Sequence, residues 1–208
     1  MKNQKNAFTM ILVAVVCFVL LPGTQAINPP PDGCYPNFTT AEGCRALQSL
    51  TTGAANTALG WFSLSAVTTG SFNTAVGAGA LDLNTADSNT AVGVAALLLN
   101  TTGTNNTANG VATLVFNNAD ENTATGAFAL NNNTDGNFNT ANGAFALNFN
   151  TTGARNTAVG DSALNQNTVG NRNTATGNAA LVANINGSAN TAIGAGALFL
   201  NTVSNTPR

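Results

Sequence analysis

The pentapeptide Asn73-Thr74-Ala75-Val76-Gly77, followed after two residues by Ala80-Leu81, constrains the fold more than any other feature of the chain. Its pattern recurs from Asn56, Asn89, Asn106, Asn122, Asn139, Asn156, Asn173 and Asn190, always 16 or 17 residues after the previous copy. A unit of this size cannot bury a core alone. Self-similarity at a short fixed period therefore marks a stacked array in which neighbouring units supply the missing half of the interior. Thr39-Thr40-Ala41-Glu42-Gly43 and Ala46-Leu47 fall in the same register, so the array has ten units, starting at 39, 56, 73, 89, 106, 122, 139, 156, 173 and 190.

Each unit has three parts: Asn-Thr-Ala-x-Gly, then x-x-Ala-Leu-x-x, then a polar connection such as Asn150-Thr151-Thr152-Gly153-Ala154-Arg155. The first two have the length of short strands, with Gly and Asn supplying the turn conformations between them. Frequent Gly, Asn and Thr and the shortness of the apolar runs argue against helix. Seven of the nine connections contain a Gly; Ala86-Asp87-Ser88 and Ala119-Asp120-Glu121 lack it and belong to connections one residue shorter. Length variation confined to a loop suits a coil whose strands stay fixed. The expected fold is all-β, a parallel β-roll or β-solenoid of about ten coils over residues 39–204, roughly 45–50 Å long at the usual strand spacing.

The interior follows from the invariant columns. Leu47, Leu64, Leu81, Leu97, Leu114, Leu130, Leu147, Leu164, Leu181 and Leu198 form one apolar ladder, each worth about 1.5–3 kcal/mol when fully buried. The Ala of the triplet is fixed from Ala41 to Ala192, whereas the next residue ranges over Leu59, Val76, Asn109, Thr125 and Ile193 and belongs at a boundary. The repeated Asn residues (Asn56, Asn73, Asn89, Asn106, Asn122, Asn139, Asn156, Asn173, Asn190) read as turn residues that satisfy backbone groups of their own turn, and Thr as a source of β propensity. One Leu and one or two Ala per unit make a thin core. It calls for help from Asn and Thr ladders or from oligomerisation. Trp61, Phe62, Phe128 and Phe145 add bulk at a few levels, and Phe72 and Phe138 precede the Asn of their units.

Composition excludes several functions. Only 7% of the 208 residues are charged, against roughly 25% in ordinary globular chains. There is no His, and the only lysines are Lys2 and Lys5. No basic stripe exists for nucleic acid. The acids Asp32, Glu42, Asp82, Asp87, Asp120, Glu121, Asp135 and Asp161 share no column, so no catalytic, cofactor or metal site is expected; the Asp120-Glu121 pair reads as a solvated loop and not a Ca²⁺ site. Residues 1–26 have the form of a cleaved signal peptide: Lys2 and Lys5, an apolar run from Ala7 to Leu21, and a break at Pro22-Gly23 before Ala26. Residues 27–38 form a Pro-rich cap, with Cys34 and Cys44 placed to bond it to the first unit, as befits an exported chain. Residues 205–208 begin an eleventh unit with Pro207 in place of Ala, which fits either a natural stop or a truncated reading frame. Sequons stand at Asn37, Asn100, Asn105, Asn132, Asn150 and Asn186.

Units such as Asn73-Thr74-Ala75-Val76-Gly77 and Asn156-Thr157-Ala158-Val159-Gly160 resemble the head repeats of trimeric autotransporter adhesins of the YadA type, over about residues 39 to 204. The resemblance implies a left-handed parallel β-roll, three chains around one axis, displayed outside a bacterial cell for attachment. The family motif is commonly longer between its Asn and Gly, and the coiled-coil stalk and membrane barrel of those adhesins have no counterpart here. The expectation is a secreted or cell-surface structural and adhesive protein, a homotrimer or an end-to-end polymer, attaching to a surface glycan or matrix protein. A fibre subunit and an ice-binding β-solenoid, which ranks Thr hydroxyls on one face, are the other expectations.

Overall fold

A computed structural model describes residues 36–201, all within one compact unit, Asp32–Arg208. The expected signal peptide, most of the Pro-rich cap with Cys34, and the C-terminal stop lie outside the described residues. After a short 3-10 turn at Pro36–Phe38 come ten three-residue strands: β1 (Thr40–Glu42), β2 (Thr57–Leu59), β3 (Thr74–Val76), β4 (Thr90–Val92), β5 (Thr107–Asn109), β6 (Thr123–Thr125), β7 (Thr140–Asn142), β8 (Thr157–Val159), β9 (Thr174–Thr176) and β10 (Thr191–Ile193). They form a single parallel sheet in sequence order. Every pair is in register, Thr against Thr and Ala against Ala. The chain is a parallel β-solenoid in which one turn of the coil is one sequence repeat, and the 16- and 17-residue units keep the same strand register.

Alternation along each strand sends Ala inward and its two neighbours outward. From Ala58 to Ala192 the strand Ala residues are 0–1% exposed, too enclosed for a larger side chain. Beneath the sheet runs the Leu column. Leu64, Leu81, Leu97, Leu114, Leu130, Leu147, Leu164 and Leu181 are fully buried, Leu47 nearly so, and Leu198 half-buried.

The second segment of the unit departs from the strand expected there. It is a run of turns in which Leu itself takes φ of 49–53°, and the residue two before it takes φ of 51–65°. A third left-handed position, at φ 55–61°, directly precedes each Asn or its Thr39 equivalent. Such values cost a side chain about 1–2 kcal/mol and persist only where the surroundings over-determine them. Here the Leu side chain is enclosed and its N–H is committed to the next coil, as in Leu64 N–H to Ala80 O at 3.1 Å. The hydrogen-bond ladder between coils thus continues through backbone that is not strand.

Glycine fixes two further columns. The Gly that ends each pentapeptide has φ of 120–144°. Where a coil follows, a Cβ would also lie 2.4–2.8 Å from the next such Gly, as at Gly143 against the Gly160 carbonyl. The connection Gly is excluded from substitution by space alone: at Gly136 a Cβ would sit 2.2 Å from the Gly153 carbonyl. Ala86 and Ala119 take this place in the two short connections, where the lost residue is one of the pair that precedes the Gly elsewhere.

Candidate functional site

Two sets of polar columns compete for a functional role: Asn columns at the corners of the coil, and Thr columns on its surface. The geometry separates them. Asn56 and its eight successors are buried, and most of their side-chain contacts reach beyond their own turn, although Asn73 and Asn122 also donate to the Ser71 and Asp120 carbonyls at 3.2 Å. The Oδ1 of each reaches the following coil and accepts the backbone N–H of the next Asn, at 2.9–3.0 Å in all eight pairs. In seven of them Nδ2 donates at 2.8 Å to the carbonyl of the following connection, as Asn139 does to Gly153. Beyond the own-turn role expected of them, these contacts tie one coil to the next.

A second Asn column went unread in the sequence because it opens the connections and looks like loop composition. Asn84, Asn100, Asn117, Asn133, Asn150, Asn167 and Asn184, three residues after each Leu, are all buried. From Asn100 on, each Nδ2 donates one hydrogen to the Oδ1 of the Asn below, over 2.6–3.3 Å. The other goes to the carbonyl of its own connection, at 2.7–3.0 Å. The constant Leu-to-Asn spacing was the available signal, blunted because Leu50 and Val67 occupy the column in the first two coils. Together the two columns hold carbonyls such as Gly153 from both sides. Among the described residues no buried side-chain nitrogen or oxygen lacks a partner. This is how so small an apolar core is supplemented, since unpaired buried polar groups would cost about 1–3 kcal/mol each.

The acids serve the same purpose. Asp87 and Asp120, one in each short connection, accept the N–H of Ser71 and of Thr104, both at 2.7 Å, and Asp120 also takes the Thr104 hydroxyl at 2.9 Å. Asn171 does so for Ala154 at the same level of the coil. Asp82 accepts the Ser65 hydroxyl; burial pushes its carboxyl above the usual range, and the Ser65 hydrogen bond opposes that rise. Among the described residues no three His, Cys, Asp or Glu side chains are grouped to hold a metal, and no helix is long and apolar enough to cross a membrane. Cys44 is exposed; its expected partner Cys34 lies outside the described residues. The sequons are sorted by burial: Asn100 and Asn150 lie inside the second ladder, Asn132 donates to Asn148 O at 2.9 Å, and Asn37, Asn105 and Asn186 are exposed.

What remains outside is the outer face of the sheet. It carries two columns, the first residue of each strand, always Thr, and the third, which varies. Thr107, Thr123 and Thr140 at its middle are exposed, with Asn109, Thr125 and Asn142 beside them. Elsewhere on the surface, Phe128 and Phe145 stack in parallel with centroids 5.3 Å apart. Arg155 lies over the Phe138 ring at 5.1 Å and Arg45 over Phe62 at 4.9 Å. Compared with protein-family models, with curated proteins and with solved structures, the chain matches none.

Proposed function

We propose that the chain is a non-catalytic structural protein of the cell exterior that presents a stiff, nearly uncharged solenoid surface for attachment, in the manner of the adhesin heads its repeats resemble. The observation that carries this reading is the outer sheet face, where the same backbone offers one Thr and one variable residue at each of ten in-register levels. Weak contacts repeated on a rigid scaffold add through avidity, so no single level needs a pocket. A surface glycan or matrix protein is the target class, and trimer formation around the solenoid axis multiplies the array. The test is retention of beads coated with the protein on glycan and matrix-protein surfaces, with Val92→Lys, Asn109→Lys and Thr125→Lys introduced together. Attachment lost in the triple variant supports the reading; equal retention of coated and bare beads removes it. Light scattering that returns a monomer mass removes the trimer.

A fibre subunit is the second reading, favoured by the terminal coils. The missing side chains of Gly194 and Gly196 meet no atom within 4 Å, and at the other end Ala41, Ala46, Leu47 and Leu50 line a cavity of about 310 Å³. Long uniform filaments in negative-stain images support that reading, and discrete short particles support the adhesin head.

A further inference from the structure

The strand Thr column runs through all ten coils, a second Thr column in the connections is interrupted at Asn118 and Ile185, and the fold uses only the second. In the connections, the hydroxyls of Thr51, Thr85, Thr134, Thr151 and Thr168 donate to a carbonyl of the following coil at 2.6–3.0 Å. By contrast, none of the ten strand hydroxyls, Thr40 to Thr191, has a hydrogen-bond partner among the described residues. Strand formation does not explain the choice of Thr there. Two residues away on the same face, the third strand position accepts Glu42, Leu59, Val92, Asn142 and Ile193, and Val or Ile would serve β propensity equally well.

We propose that this strand Thr column is a binding surface for ordered water, and that its ligand is ice. In-register pairing sets one hydroxyl and one methyl on every strand, about 4.8 Å apart along the stack. Water molecules bonded tetrahedrally at about 2.75 Å repeat their oxygens at about 4.5 Å, within a few tenths of an ångström per rung. Each hydroxyl both donates and accepts, which matches a lattice that offers both at every site. An ionic partner has nothing to meet: Glu42 is the only charged residue on the face. The inference is independent of attachment to cells, which uses the variable column.

The test measures partition of the full chain into slowly grown ice, together with thermal hysteresis and crystal shape. Thr123→Tyr and Thr140→Tyr place a tall ring at mid-column while keeping β propensity; Thr152→Tyr, exposed on a connection, is the control, and circular dichroism and melting confirm that all three fold. The expected result is several-fold enrichment of the wild-type chain in ice over a size-matched control protein, lost in the two strand variants and kept in Thr152→Tyr. Exclusion of the wild-type chain from ice overturns the proposal, whatever the bead assay returns. So does equal partition of the two strand variants and the wild type, or equal loss in Thr152→Tyr.

Discussion

At the scale of single residues, the buried carboxamides and one half-buried carboxylate carry the clearest consequences. Asn139 accepts the Asn156 N–H at 3.0 Å and donates to Gly153 O at 2.8 Å. Asn139→Ala removes both contacts, and with them the 3.2 Å bond from Asn156 Nδ2, and leaves the Asn156 N–H unsatisfied inside the coil, since Gly153 O keeps Asn150 and Asn156 Nδ2 keeps Gly170 O. The expected loss is about 2–4 kcal/mol, seen as a fall in melting temperature, whereas Asn186→Ala on the surface changes it by no more than about 0.5 kcal/mol. Asp82 acts in the opposite sense. Its folded carboxyl holds its proton above the ordinary value, so the burial penalty on its charge is absent below about pH 3.9 and grows as pH rises through the folded value. Asn occupies the same column at Asn148 and Asn165, where Nδ2 donates to the Phe128 and Phe145 carbonyls at 2.8 and 2.9 Å. Asp82→Asn is therefore expected to stabilise the protein at pH 7 by about 0.5–1 kcal/mol from the added hydrogen bond and by relief of the burial penalty on the charge, and the second part vanishes toward pH 4. Melting curves across that range check it; a gain independent of pH assigns the effect to the hydrogen bond alone.

At the scale of the repeat unit, coils of two lengths stack without loss of register because the difference is confined to one corner. Inserting a Thr between Thr85 and Ala86, together with Ala86→Gly, restores the long connection and is expected to change stability by less than about 1 kcal/mol. A residue inserted after Thr90 instead reverses the inward and outward sides of β4, burying what should face water. That variant should melt far lower and lose β-type circular dichroism. The contrast tracks what could be read from the chain. Period, coil count, the Leu column and the site of length variation are visible because the array repeats them at one spacing. The left-handed backbone at Leu is not: nothing in a Leu side chain announces φ near 50°, and only the packed coil above and below makes it the lower-energy choice. Likewise the direction in which Asn139 points depends on the following coil, and the connection Thr151 and strand Thr140 look alike until their partners are known.

At the scale of the whole molecule, each coil touches its neighbours in sequence and little else, so stability is a sum over coils and the interfaces between them. Interior coils have two interfaces. The terminal ones differ, as the half-buried Leu198 and the cavity beside Leu47 and Leu50 record. Hydrogen exchange read by mass spectrometry should give the greatest protection to the amides of β4 to β7 and the least to β1 and β10. Uniform protection from end to end would mean that the array opens only as one unit.

The second Asn column adds something a sum of coils leaves out. From Asn184 down to Asn84, each amide donates to the carbonyl oxygen of the amide below, so seven carboxamides form one head-to-tail chain with their dipoles aligned. In such a chain each bond polarises the next, strengthening it by about 10–30%. The interior therefore holds a polar filament with a direction, in a protein nearly without charge. Cutting it at Asn133 leaves two short pieces, whereas cutting it at Asn84, below which the column holds Val67, only trims an end. The same substitution in the same local surroundings thus acquires a cost that depends on how far it lies from the middle.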